Sequence, residues 1–265
     1  MREIKTVVVP LDGEKNSERA LPLAVRLADR LGVEVRLLSS VTTPEERHFR
    51  LDQLRALSGD IFDGPEVVID VIETVDVASP IEAAAADFGL IVMATSAKLG
   101  LHDGHMGSIA ERVVRDVKET VMLVGPHAAA DLDIDKVVVP VDGSDAAVEA
   151  LAPAVAWAEL LDVPLWVVTV VTPDQQHAAA QAGVHAEHGY VKRLSERVAD
   201  RVDAEFEVLH GEDPVESLLD FLGGDSLCIM TTTGKSGLRR LVMGSVATGV
   251  VRKAAKPVLV VKSSV

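Results

Sequence analysis

Aromatic residues are scarce, Phe, Trp and Tyr together making up 3% of the chain. Its core must therefore be aliphatic, built from Val, Leu, Ile and Ala. There is one cysteine, Cys228, which excludes an internal disulfide framework. It lies in the apolar run Ser226–Met230, where a buried strand residue is a better reading than a reactive thiol. No apolar run is long enough to cross a bilayer. Residues Met1–Lys5 lead into a strand-like run without the apolar region of a signal peptide, so a cytoplasmic location is expected. Basic residues are also few: 26 Lys and Arg against 41 Asp and Glu give a formal charge of −15. With a pI near 4.9, that balance argues against nucleic acid and against anionic membranes as partners. What is present in quantity is aliphatic: 48% of 265 residues are hydrophobic, which suits one large folded domain or two of about 130 residues.

The chain repeats itself. Lys5-Thr-Val-Val-Val-Pro-Leu-Asp-Gly13 is matched by Lys136-Val-Val-Val-Pro-Val-Asp-Gly143. Ser79-Pro-Ile-Glu82 is matched by Asp213-Pro-Val-Glu216, and Met106-Gly-Ser-Ile109 by Met243-Gly-Ser-Val246. The order is kept and the offset grows slowly, from 130 to 137 positions, so these are two homologous halves. The boundary is expected near Ala128–Asp131, giving domains 1–128 and 132–265.

Each half alternates strand and helix patterns. In the second, Val137–Val141, Leu165–Val171, Leu227–Thr231 and Pro257–Val261 read as buried strands, and Ala204–Leu209 as an edge strand. Helices are expected over Ser144–Leu161, Gln181–Val202, Pro214–Leu222 and Ser245–Ala255, with Ser144 or Asp145, and Asp213, as N-caps. The first half predicts strands near 4–10, 33–40, 66–72, 89–94 and 120–124. Five strands with four helices between them give an α/β fold: two tandem, doubly wound, five-stranded parallel sheets of order 3-2-1-4-5. Ligands of such sheets bind beyond the carboxyl ends of the strands at the switch point, here between strands 1 and 4. Strand 5 of each half is an apolar edge, which the two domains can cover for one another through a pseudo-two-fold contact.

After strand 4 the second half reads Thr231-Thr-Thr-Gly234-Lys-Ser-Gly237, then Gly244-Ser245 at the start of a helix. Glycines let backbone approach a ligand, and a helix N-terminus holds phosphate well, although such loops also serve merely to turn the chain. Residues 226–265 contain seven basic residues (Lys235, Arg239, Arg240, Arg252, Lys253, Lys256 and Lys262) and no acid. Together with the glycines, that excess points to an anionic ligand. It is not held by a known phosphate loop. Gly234-Lys235-Ser236 resembles the end of a P-loop, but Ile229 stands where that motif needs glycine. No G-x-G-x-x-G follows strand 1 in either half.

A first strand ending Pro-Val-Asp-Gly-Ser, the spacing Gly234-x9-Gly244-Ser245 and the final Pro-Val-Leu-Val-Val resemble the universal stress protein family over nearly the whole chain. Thr231 replaces the first glycine of that family's G-x2-G-x9-G-[ST] motif. The resemblance implies an adenine-nucleotide alpha hydrolase-like fold, ATP binding (with Mg²⁺ possible beside it), a role in stress response, and dimers. It assigns Asp142 to the adenine or ribose side, with Pro140, Val141 and Val170 around the base. Met230 and Thr231 would cover base and ribose, and Gly234, Gly244, Ser245 and Val246 would hold phosphates. In the first half the leading glycines are Ala94 and Ala97, and residues 93–125 carry balanced charge. Weaker binding or a structural role is expected there, with Asp12, Val41, Gly107 and Ser108 as the candidates.

Other chemistry is less well supported. His102-Asp103-Gly104-His105 and His177, His185 and His188 have metal-ligand types without a completing set. No nucleophile with a positioned base is evident, and no catalytic residue is proposed. A nucleotide-binding regulator leads; an ATP-hydrolysing or adenylate-handling enzyme and a ligand-free structural paralogue are the alternatives.

Overall fold

The computed structural model describes residues 4–61, 65–86, 89–95, 108–174, 186–232 and 243–262. Runs of β-branched residues form the strands, since their branched side chains fit a pleated surface covered on both sides. Val7, Val8 and Val9 are fully buried, as are Val137, Val138 and Val139. The strands are β1 (Thr6–Pro10), β2 (Glu34–Val41), β3 (Val67–Glu73), β4 (Gly89–Ala94) and β5 (Val121–Val124). The second half supplies β6 (Lys136–Pro140), β7 (Leu165–Val171), β8 (Ala204–His210), β9 (Ser226–Thr231) and β10 (Val258–Val261).

All ten join one sheet of order β3-β2-β1-β4-β5-β10-β9-β6-β7-β8. Each half is the expected 3-2-1-4-5 arrangement, and every pair within a half is parallel. The halves meet through β5 and β10, which run antiparallel with Val121 opposite Val260 and Leu123 opposite Val258. The two apolar edges thus cover each other, as the sequence predicts. One geometric consequence matters for function: because this central pair is antiparallel, the strands of the two domains end at opposite ends of the sheet, and so do their switch points.

Helices cover both faces. Leu21–Leu31, Pro44–Ile61, Leu151–Leu161 and Ala186–Glu196 pack on one. Ala78–Ala85, Ser108–Asp116, Pro214–Leu222 and Ser245–Lys253 pack on the other. Asp213 caps its helix as expected, its Oδ1 accepting from Val215 N at 2.8 Å. The single helix expected over Ser144–Leu161 is instead two, Asp145–Val148 and Leu151–Leu161. Pro153 has no N–H to return to Glu149, so the helical ladder is interrupted there. The polar helix after β7 ends at Glu196 and gives way to turns short of the expected Val202, while its expected start, residues 181–185, lies outside the described residues.

Polar contacts also tie the halves together. Lys262 Nζ donates to the carbonyls of Arg115 and Val117. Arg30 Nη2 donates to Leu160 O at 2.6 Å. Lys256, almost entirely buried, pairs with Asp131 at 2.6 Å. At Gly125 a β-carbon would stand 2.0 Å from Val251 O, so only glycine admits this approach of the first domain to the helix Ser245–Lys253.

Candidate functional site

In the second domain β6 ends at Pro140, and Val141 N continues its ladder to Val168 O at 2.7 Å. The chain then turns through Gly143 at φ +83°, a left-handed conformation that glycine adopts without strain. Asp142 makes this turn: its Oδ1 accepts from Ser144 N at 3.0 Å and from Ser144 Oγ at 2.6 Å. Ser144 Oγ in turn accepts from Ala147 N at 3.2 Å and caps the short helix. The carboxylate is thus held in place at the strand end.

The other wall comes from β9. Its register with β6 (Val138 opposite Cys228) carries Met230 and Thr231 alongside the end of β6. Both are buried, while Val170, further along β7, is partly exposed. Thr232 N donates to Val261 O, and Thr232 O accepts from Gly244 N at 3.1 Å, which fixes the helix Ser245–Lys253 beside the strand end. Gly244 is its N-cap, at φ −61° and ψ 154°, and no side chain caps it. The amides of its first turn have no intrahelical acceptor and carry the positive end of the helix dipole. Among the described residues, a β-carbon on Gly244 would meet nothing within 4 Å. Backbone strain does not demand glycine here. Ser245 is exposed and Val246 partly so.

The structure therefore brings Pro140, Val141, Asp142, Val170, Met230, Thr231, Gly244, Ser245 and Val246 to one end of the sheet. Gly234 lies outside the described residues, as do Lys235, Arg239 and Arg240. The basic excess is spread more widely than a single ligand site. Lys256 and Lys262 serve the contact between halves, and Lys253 pairs with Glu216. Arg252 lies in the last turn of its helix, far from Gly244.

Tyr190, the one tyrosine of the chain, escaped sequence reasoning. It lies on Ala186–Glu196, and its hydroxyl is buried with no hydrogen-bond partner among the described residues. Burial and then the nearby charges of Asp142 and Asp145 push its pKa up, which keeps it a neutral phenol with a hydrogen to donate. A lone tyrosine in a polar helix was the available signal.

In the first domain Asp12 repeats the turn, its Oδ1 accepting from Glu14 N at 2.9 Å, with Gly13 at φ +86°. Val41 is buried at the end of β2. Ser108 opens a helix, and Gly107 lies outside the described residues. So do His102, Asp103, Gly104, His105, His177 and His185, as does the side chain of His188. Among the described residues no three His, Cys, Asp or Glu side chains are grouped to hold a metal. Cys228 is buried, and burial pushes its thiol far up, which keeps it protonated and unreactive. Among the described residues no helix is long and apolar enough to cross a membrane.

This architecture defines the class: a tandem pair of doubly wound α/β domains, each with a switch point between its first and fourth strands. A profile of the universal stress protein family matches residues 3–125 and again 133–262. Universal stress protein MJ0531 of Methanocaldococcus jannaschii is 33% identical over 141 residues, 48% of this chain and 81% of that protein. Universal stress protein Slr1230 of Synechocystis is 29% identical over 180 residues, 68% of this chain and 60% of that protein. A solved universal stress protein from Archaeoglobus fulgidus shares the fold, with a TM-score of 0.70 at 18% identity over 97% of this chain and 96% of its own. The chain belongs to the universal stress protein family.

Proposed function

We propose that this protein is a nucleotide-binding regulator of the stress response that holds ATP at the switch point of its second domain. One observation carries the reading: the first turn at Gly244, which no side chain caps, is tied by Gly244 N to Thr232 O beside the end of β9, next to the end of β6. Those ends suit a base, and the free amides suit phosphates. Val141, Val170 and Met230 would flank the base, Asp142 the ribose or adenine edge, and Ser245 and Val246 the phosphates. Bound ATP would supply the polyanionic charge, with Mg²⁺ as its companion, and the protein would respond by changing its conformation or its affinity for partners.

The geometry supplies a clean test. Gly244 has ordinary helix-cap dihedrals, and among the described residues nothing stands within 4 Å of a β-carbon there, so Gly244→Trp sets a bulky side chain at the helix start without backbone strain. ATP with Mg²⁺ at about 100 times its dissociation constant should stabilise the wild type by roughly 2.7 kcal/mol. The gain should vanish in Gly244→Trp, whose unliganded melting temperature stays near that of the wild type. An equal gain in both proteins, or none in either, would sink the reading.

A further inference from the structure

The first domain's cleft is furnished differently. Helix Pro44–Ile61 reaches over the end of β1, and Arg50 lies directly on Gly13: a β-carbon there would stand 1.5 Å from Nη1. Nε and Nη1 of this guanidinium are shielded from solvent and, among the described residues, have no hydrogen-bond partner. Glu46, one turn back, feels its charge, but Glu46 Oε2 already accepts from Thr42 N at 2.9 Å and Thr42 Oγ1 at 3.0 Å. Asp12 gives its Oδ1 to Glu14 N. A guanidinium does not lose its proton, and buried donors left without an acceptor are costly.

A second polar group at the same end is also unsatisfied. Thr95 follows β4 and is 1% exposed, and among the described residues its hydroxyl has no partner. Its main chain is fixed on both sides, Thr95 N donating to Val124 O at 2.9 Å and Asn16 Nδ2 donating to Thr95 O at 3.4 Å. Asn16 sits in the short helix that follows Gly13, so Arg50 and Thr95 stand on either side of one turn. The matching helix of the second domain contributes Tyr190 instead.

We infer that the first cleft binds the phosphate group of a small phosphorylated molecule, with Arg50 supplying the charge and Thr95 a further donor. The guanidinium stands where the family resemblance would put base or ribose, so this cleft is an anion site and not a second copy of the nucleotide site. A tetrahedral phosphate offers acceptor oxygens in diverging directions, which suits donors arriving from a helix on one side and a strand end on the other; a planar carboxylate does not. The site uses none of the residues assigned to ATP in the second domain.

The test is a titration of the full chain with inorganic phosphate, followed by the ¹⁵N–¹H signals of arginine Nε. One signal, absent from Arg50→Gln, should shift saturably in the wild type and equally in Gly244→Trp, and acetate at matched ionic strength should leave it in place. Arg50→Lys, which keeps the charge but not the fork of donors, should bind phosphate about tenfold more weakly. If no such signal moves, if acetate moves it as far, or if Arg50→Gln made in the Gly244→Trp background retains the thermal stabilisation by phosphate, the inference is wrong. Because Gly244→Trp touches only the second cleft, failure of the ATP reading leaves this result unaltered.

Discussion

Gly13 and Gly143 occupy the left-handed region at φ +86° and +83°, and each follows an aspartate whose carboxylate braces the same turn. Gly13→Ala would combine that strained dihedral with the guanidinium of Arg50, so it should lower stability by about 1–3 kcal/mol in urea titrations. Tyr190 presents the reverse case. Its hydroxyl is buried without an acceptor in the protein alone, so Tyr190→Phe should not lower the melting temperature of the free chain. If the phenol donates to nucleotide at Asp142, the same change should weaken ATP binding about 3- to 10-fold by calorimetry. At this scale the sequence was only partly legible. Asp12, Asp142 and Gly244 announce themselves through repeated words at strand ends. Arg50 and Tyr190 do not, because they reach the clefts from helices whose register over the sheet is a matter of tertiary packing.

The elements follow from local chemistry wherever one signal dominates. Uninterrupted β-branched runs produced strands buried on both faces, and Asp213-Pro214 started its helix as the cap and first-turn preferences require. Where two signals compete, pattern alone misleads: Ala- and Leu-rich Ser144–Leu161 reads as one helix, yet Pro153 divides it. The short first piece depends on its cap, since four residues cannot hold a helix by themselves. Ser144→Ala removes both the cap on Ala147 N and one donor to Asp142, and should cost about 1 kcal/mol in chemical denaturation. The charge pattern serves more than one purpose: of the basic residues after Ser226, Lys256 pairs with Asp131 between the domains and Lys262 with the first domain's carbonyls, while Lys235, Arg239 and Arg240 lie outside the described residues.

On the scale of the whole molecule, two repeats become one ten-stranded sheet by pairing their fifth strands, and the antiparallel join points the two clefts away from each other. The junction has a predictable response to acid. Asp131 is partly buried, which by itself would raise its pKa, but the hydrogen bonds from Lys256 and the Asp133 amide, with the charges of Lys256 and Arg26, together outweigh this and hold it below the usual carboxylate value. Its contribution is therefore present above the unfolded pKa, near 4, and is lost as pH falls through the lower folded value. Stability measured from pH 6 to pH 2 should decline below about pH 4, and Asp131→Asn should flatten part of that decline. The central claim concerns the second cleft, and a crystal structure grown with ATP and Mg²⁺ tests it most directly. The account predicts phosphates against the amides of Ser245 and Val246 and the base among Val141, Val170 and Met230. Crystals that show no nucleotide at this end of the second domain, or place it elsewhere on the sheet, would contradict it.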